Sequence, residues 1–426
     1  MAGGPHPSRA AIASGQLEQL RALLTELIPG NAFYTRKLHA AGVTFDVSSL
    51  EDFSHRFPFT QKAELVADQR AHPPFGTNLT YPLDRYTRFH QTSGTSGVPL
   101  RWLDTPESWA GLVESWAEIF RVAGVTSSDR VYFAFSFGPF IGFWLAFEAA
   151  TGMGALCIPG GGMSSATRLR AILDNGATAL CCTPTYALRL AEVAAEEKID
   201  LQASRVKRII VAGEPGGSIP AVRARIEQGW PGARVFDHHG MTEVGPVTYE
   251  CPAKPGILHV IESAYFAEII EPAGGKPAAP GQAGELVLTT LGRIASPLLR
   301  YRTGDLVQAA TAPCGCGRPE LALAGGILGR TDDMIVVRGV NIYPGAVEEI
   351  IRAAGEVREF QVRVNTKQAL VELRVEIEPL PDCGDVAALT AKLEKAFQAQ
   401  FALRVPVAAV ASLPRYEMKA KRWLRE

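Results

Sequence analysis

The 426-residue chain has no surplus of charge of either sign: 43 Lys and Arg stand against 44 Asp and Glu. That balance argues against general nucleic-acid binding and against a polybasic membrane anchor. Long apolar runs are missing too. Val131 to Ala150 comes nearest, but Gly138, Pro139, Gly142 and Glu148 interrupt it, and a membrane span needs roughly 18 residues. Met1 to Ser14 carries no apolar signal-peptide core and reads as a loose tail. A cytoplasmic location is the expectation. Cysteine is sparse, seven residues and an odd number, so burial or metal binding is favoured over a disulfide framework. Cys157, Cys181 and Cys182 lie in apolar runs and read as small core residues, and Cys383 as a loop residue.

What is present is an ordinary globular composition, 47% hydrophobic and 20% charged, in a chain long enough for two or more domains. Leu17, Leu20, Leu23, Leu24 and Leu27 share one helical face before Pro29-Gly30. Further helices are expected over Ser108 to Val122, Thr167 to Asn175 and Tyr186 to Lys198. Strands are expected over Arg130 to Phe137, Ala179 to Thr183 and Arg208 to Ala212. Strands alternating with helices predict a doubly wound α/β core. After Glu243 the texture changes to short strands, Tyr265 to Ile270 and Glu285 to Thr290, separated by Pro/Gly-rich turns, which suggests a β-rich subdomain. Beyond Asp333 the pattern is that of a compact α+β unit: strands at Met334 to Arg338, Glu359 to Val364 and Leu370 to Ile377, helices at Ala346 to Ala353 and Val386 to Phe401.

One loop carries chemistry. Thr92, Ser93, Gly94, Thr95, Ser96 and Gly97, followed by Val98-Pro99, offer hydroxyl and backbone N–H donors to a polyphosphate, and glycine permits close approach. It is not a Walker loop, because no lysine follows Gly97. Taken alone, such a run is more often an ordinary turn. Downstream, in order, come Gly213-Glu214-Pro215, His239-Gly240-Met241-Thr242-Glu243, Tyr301-Arg302-Thr303-Gly304-Asp305, Gly329-Arg330-Thr331-Asp332-Asp333 and Lys419. A separate group, Cys251, His259, Cys314 and Cys316, has the composition of a closed tetrahedral zinc site. His238 and His239 are adjacent, so in a strand they point to opposite faces and do not share a metal.

The ordered motifs, spread from about Leu17 to Arg422, resemble the adenylate-forming enzymes, which include acyl- and aryl-CoA ligases, luciferases and adenylation domains. The likeness is greatest to the phenylacetate-CoA ligase-like branch. The resemblance implies a large N-terminal unit, residues 1–331, holding the nucleotide and the acid, and a small mobile α+β unit, residues 332–426. It implies ATP with Mg2+, and CoA or a phosphopantetheine arm as the acceptor. Thr92 to Gly97 would hold the β- and γ-phosphates. Gly213, Glu214, Pro215 and Gly240-Met241 would pass the adenine, with His239 in the place of the usual tyrosine that stacks on it. Thr242 would hydrogen-bond the α-phosphate and Glu243 would ligate Mg2+. Asp305 would take the ribose hydroxyls and Arg330 the ribose or phosphates. Asp332 matches the hinge, Arg338 and Gly339 the thiol tunnel, and Lys419 the catalytic lysine of adenylation, with Lys421 as the alternative register. Val98 and Met418 depart from the usual lysine and glycine at those places.

The resemblance implies an acyl pocket among Phe135, Phe137, Gly138, Phe140, Gly142, Ala212, Gly240 and Met241; phenylalanines with glycine gaps suit a flat ring, and plain core is the alternative for the same residues. The expected function is therefore ATP-dependent activation of an aromatic carboxylic acid and its transfer to CoA or to a carrier-protein thiol. Two alternatives stay open: transfer to an amine or a partner enzyme, and a non-catalytic nucleotide-binding relative. Relatives often pair as homodimers. The zinc would be structural, because the chemistry calls for no Lewis acid besides magnesium.

Overall fold

The structure, a computed structural model, describes residues 6–92, 99–139, 141–142, 144–337, 340–365, 371–416 and 420–425. At its centre is a five-stranded parallel sheet in the order Leu156–Pro159, Arg130–Phe133, Ala179–Cys182, Arg208–Val211, Arg234–Asp237. Side chains alternate across it with the period of two that a strand imposes. Val131, Phe133, Cys181 and Ile210 enter one buried core, where helices Pro106–Val122 and Trp144–Gly152 pack. Tyr132, Leu180, Cys182, Ile209 and Val211 enter the other, under helices Ser165–Asp174, Pro184–Glu196 and Pro220–Gly229. Both faces are covered by helices, as a parallel sheet requires.

The first helix runs Arg9–Leu27. It corrects the reading of Met1 to Ser14 as a loose tail from Arg9 onward. Ser8 caps it by accepting from the Ala11 amide, and Ala10, Ala11 and Ala13 favour the helix. The strand expected over Arg130 to Phe137 stops at Phe133, and the Phe135 amide turns back to donate to the Phe133 carbonyl.

Two antiparallel sheets follow. One joins Tyr265–Ile270, Ala283–Thr290, Tyr301–Gln308 and Gly329–Arg330; the other joins Thr248–Glu250, Ile257–Val260 and Ala322–Ala324. A separate core from Ile335 to Trp423 contains the sheet Val407–Ala409, Glu372–Pro379, Val357–Asn365, Trp423–Arg425 and the helices Pro344–Ala353 and Val386–Phe401. Among the described residues no helix is long and apolar enough to cross a membrane.

A buried ion pair stitches the large unit together. Arg293 and Asp104, 1% and 0% exposed, form a two-pronged contact: Nε donates to Oδ1 at 2.6 Å and Nη2 to Oδ2 at 2.5 Å. Arg293 Nη1 also donates to the carbonyls of Thr242 and Glu243, at 2.8 and 2.9 Å. Removing one partner leaves an uncompensated buried charge. Asp104→Asn is therefore expected to cost about 3–5 kcal/mol, read as a lowered thermal midpoint. Joint replacement by Asp104→Leu and Arg293→Met should cost less than the two single changes added together.

The helix Pro106–Val122 also carries two tryptophans that pack against buried histidines. His90 stacks on Trp109 with centroids 5.0 Å apart and planes at 5°, and His238 meets Trp116 edge-on at 4.4 Å. Burial lowers both imidazoles, His90 to about 4 and His238 to about 3. The unfolded chain protonates them from about pH 6.5 downward, whereas the folded chain does not until the depressed values are reached. Over that window the unfolded state binds more protons, so this contribution to stability is lost as the pH falls. Asp237 and Glu250, raised by burial to about 6 and about 7, titrate nearby with the opposite sign. Comparing the chain with its His90→Phe variant isolates the histidine. The variant should lose less stability on going from pH 7 to pH 5, by about 2 kcal/mol, measured as the difference in denaturant midpoints.

Candidate active site

The site lies at the carboxyl ends of the parallel strands, where open α/β sheets place their ligands. Thr92, the first residue of the run singled out in the sequence, follows the strand Arg88–Gln91, which pairs antiparallel with Arg101–Asp104. Its amide donates to the Leu100 carbonyl at 2.9 Å and its Oγ1 accepts from the Leu100 amide at 3.0 Å. Ser93, Gly94, Thr95, Ser96 and Gly97 lie outside the described residues, as do Phe140, Arg338, Gly339 and Lys419.

Gly213, Glu214 and Pro215 follow the strand Arg208–Val211, and His238 to Glu243 follow the strand Arg234–Asp237. The two histidines diverge as expected, His238 towards Trp116 and His239 towards Asp305. His239 Nε2 lies 3.1 Å from Asp305 Oδ2, but out of line for a hydrogen bond: both atoms are buried and without a hydrogen-bond partner. The other carboxylate oxygen of Asp305 accepts from Arg330 Nη1 at 3.0 Å. Strand pairing sets this contact, since Asp305 and Arg330 face each other in the antiparallel ladder. Gly304, at φ +76°, is needed beside them, because a Cβ there would stand 2.8 Å from Arg330 Nη2. Arg330 also holds the expected hinge residue, donating from Nε to Asp332 Oδ1 at 2.8 Å.

Asp305 thus presents one committed and one uncommitted oxygen. A buried acceptor without a donor is costly, and a vicinal diol supplies the missing hydroxyl.

Glu243 is buried, and its Oε1 takes a hydrogen bond from Lys62 Nζ at 2.9 Å. Sequence reasoning missed Lys62. It stands far from every motif in the chain, and only the fold brings the start of helix Lys62–Ala71 to Glu243. Tyr301 lies alongside, its hydroxyl pKa raised by burial first and then by Glu243. A buried carboxylate already facing a cation, with its backbone held by Arg293, is chemically suited to a hard divalent ion.

Phe135 and Phe137 of the expected acyl pocket lie 4.9 Å apart, centroid to centroid, and Phe137 meets Trp144 at 4.6 Å and Phe147 at 5.6 Å. Trp144 and Phe147 belong to this aromatic group but were absent from the sequence-based set; the helix Trp144–Gly152, which the sequence analysis did not mark, brings them to Phe137. Gly138 accepts from Trp144 Nε1 through its carbonyl at 3.0 Å, and Gly142 takes φ +37°. Ala212 and Met241 are partly buried against the same core.

Cys251, His259, Cys314 and Cys316 converge, with their four ligand atoms all within 4.8 Å of one another. Cys251 and Cys314 sulfurs are 3.4 Å apart, and Cys316 Sγ lies 3.4 Å from His259 Nε2. Such separations are close to the edges of a tetrahedron with arms of about 2.3 Å. The ring of His259 is held by stacking on Tyr249 at 5.5 Å.

Residues 88–292 match the AMP-binding enzyme family, and residues 339–425 match the AMP-binding enzyme C-terminal domain. Phenylacetate-coenzyme A ligase of Thermus thermophilus is 33% identical over 378 residues, covering 88% of this chain and 82% of that protein. The enzyme of the same name from Pseudomonas putida is 32% identical, covering 96% and 93%. Among solved structures, 2-hydroxyisobutyryl-CoA ligase in its postadenylation state superposes with a TM-score of 0.93 at 29% identity, covering 99% of this chain and 91% of that one. The same ligase in its thioesterification state gives 0.75 at 30% identity, again covering 99% and 91%. The chain belongs to the adenylate-forming AMP-binding enzymes, in the phenylacetate-CoA ligase-like branch, and is an AMP-forming acid–thiol ligase.

Proposed function

We propose that this ligase activates an aromatic carboxylic acid and passes the acyl group to the thiol of CoA. The acid's carboxylate oxygen attacks the α-phosphorus of ATP. An acyl-adenylate forms and pyrophosphate leaves. The thiol sulfur then attacks the acyl carbon, giving the thioester and AMP. Both steps depend on neutralised phosphate charge and on positioning more than on proton transfer. The observation that carries the reading is Asp305, with one oxygen fixed by Arg330 and the other unpaired beside His239. Asp305 would then accept from a ribose, and His239 would stack on the base.

Glu243 would hold Mg2+, which neutralises polyphosphate charge when bound. Thr242, its carbonyl anchored by Arg293, would direct its hydroxyl to the α-phosphate. Lys419 would supply the cation at the α-phosphate, and Thr92 to Gly97 would wrap the outer phosphates. The closer superposition on the postadenylation state of 2-hydroxyisobutyryl-CoA ligase supports reading this arrangement of the two units as the adenylating one. Rotation about Asp332 would then bring Arg338 and Gly339 to the thiol. Phe135, Phe137, Trp144 and Phe147 favour a flat ring over a short branched acid. A carrier-protein pantetheine would use the same thiol chemistry as CoA.

Pyrophosphate exchange across aromatic and aliphatic acids tests this reading. Aryl acids should support exchange, and thioester should appear only when CoA is added. Exchange confined to short aliphatic acids would remove the aromatic assignment. Lys419→Ala should lower exchange by two orders of magnitude or more, roughly the effect of deleting one transition-state charge contact, while supplied acyl-adenylate still reacts with CoA. Normal exchange in that variant would move the role to Lys421.

We also assign the Cys251, His259, Cys314 and Cys316 cluster to one structural zinc ion. It would tie the segment after Glu243 to the loop before Gly329. Protein purified without chelator should carry about one zinc per chain, as a single closed site requires. Cys314→Ser should lower both zinc content and melting temperature, since metal binding is coupled to folding, with a smaller change in nucleotide affinity. Absence of zinc from the purified chain would remove the site.

A further inference from the structure

We propose that Glu214 is a positioning residue for adenylation: its carboxylate bridges the large unit and the C-terminal segment that carries Lys419. The proposal rests on the reading that this segment serves adenylation.

The motif Gly213-Glu214-Pro215 suggests adenine binding, yet the side chain of Glu214 is spent elsewhere. Oε1 accepts from the Thr185 amide at 2.9 Å, and Oε2 accepts from the Ala420 amide at 3.0 Å. Thr185 is the second residue of the helix Pro184–Glu196. Its amide is one of the donors a helix leaves unpaired at its start. Pro184 has no N–H to satisfy, and Thr183 takes the Tyr186 amide through its side chain and the Ala187 amide through its carbonyl. Glu214 completes the set, and the helix terminus favours its negative charge. Burial raises the Glu214 pKa, while the bonds from Thr185 and Ala420 act in the other direction. The charged form is thus the one these two amides select.

The second oxygen is the unusual one, because it reaches across to the residue following Lys419. The segment is braced to its own unit on both sides. Arg415 pairs with Glu378, and Arg422 Nε donates to Glu359 Oε1 at 2.8 Å. Towards the large unit, Arg415 only approaches Glu192 at 3.8 Å, whereas Glu214 makes a charge-assisted hydrogen bond to the backbone itself. A backbone contact fixes the chain path whatever side chain stands at position 420. When the small unit turns away, Oε1 keeps its helix amide and Oε2 is free to meet water, so the contact is specific to one pose.

The two half-reactions separate this role from the others. Glu214→Gln offers one acceptor oxygen and presents an NH2 to the second amide, donor against donor. Pyrophosphate exchange should fall on the order of tenfold in kcat, the worth of one hydrogen bond to a charged group. The KM for ATP should hold, and thioester formation from supplied phenylacetyl-adenylate and CoA should be unchanged. Glu214→Asp keeps the charge for the helix but is one methylene too short to span both amides. It should fold normally and show the same split. A raised ATP KM with unchanged kcat would make Glu214 a nucleotide contact and overturn the proposal. Equal loss of both half-reactions with a lowered melting temperature would reduce it to a helix cap. Wild-type exchange in both variants, alongside lost exchange in Lys419→Ala, would remove the positioning role and leave the reading of Lys419 standing. Normal exchange in Lys419→Ala would instead remove the reading on which the proposal rests.

Discussion

The pairing of Arg293 with Asp104 is the constraint on which the site depends. It gains little as a stabilising contact, since taking two charges out of water costs about as much as their attraction returns. Its value is geometric. Asp104 ends the hairpin that carries the Thr92 loop, and the next residue, Thr105, caps the helix Pro106–Val122. Arg293 follows the strand Ala283–Thr290 and reaches the carbonyls of Thr242 and Glu243. One guanidinium therefore sets the Arg101–Asp104 strand, the tryptophan-bearing helix and Glu243 relative to one another. Its planar fork fills both jobs, two nitrogens for the carboxylate and one for the carbonyls, which lysine could not do. Neighbouring bonds hold the same junction: Ser296 Oγ donates to the Leu103 carbonyl at 2.7 Å, and Ser108 Oγ accepts from the Ala295 amide at 3.2 Å.

Within that frame the site is incomplete on purpose. Asp305 Oδ2, His239 Nε2 and His238 Nδ1 are buried without hydrogen-bond partners, a cost that packing elsewhere in the large unit must offset. These three stand at the candidate site, whereas Gln16 Oε1, His259 Nδ1 and Arg352 Nε lack a hydrogen-bond partner elsewhere in the molecule. A ligand that supplied the missing partners would recover that cost, and preorganised acceptors give selectivity for a ligand that can fill them.

How much of this was legible in the sequence follows from the range of the interactions. Local periodicity read Val386–Phe401 and Tyr265–Ile270 to the residue. Strand ends were overrun where aromatic residues continue past the sheet, as at Phe135 and Phe137, whose β propensity says nothing about where pairing stops. Arg9 to Ser14 was misread because a capping serine and a few alanines are a weak signal without the tertiary contact that supports them. There, Arg9 pairs with Glu262 and Gln16 Nε2 donates to the Tyr265 carbonyl at 2.8 Å. Lys62, Arg293 and the side-chain role of Glu214 were invisible for the same reason: each acts on a partner remote in the chain, and no spacing rule records it. Asp305 and Glu243 could be singled out because the motifs that hold them are local.

The contacts between the large unit and the C-terminal unit are of a different kind from those inside either. Arg358 pairs with Glu196, Arg415 approaches Glu192, and the Ala221 amide donates to Glu349 at 3.1 Å. The apolar cores of the two units are separate clusters. Ion pairs open to solvent are worth roughly 0–1 kcal/mol each, and the Arg225 bond to the Val357 carbonyl adds a part-buried polar contact. A buried apolar interface of similar extent would cost far more to open, because every apolar square ångström returned to water is unfavourable. Polar contacts exchange with water at nearly equal free energy. To these contacts are added directional bonds at single points, Arg330 Nε to Asp332 and the Ala420 amide to Glu214, each of which water can replace once it is exposed.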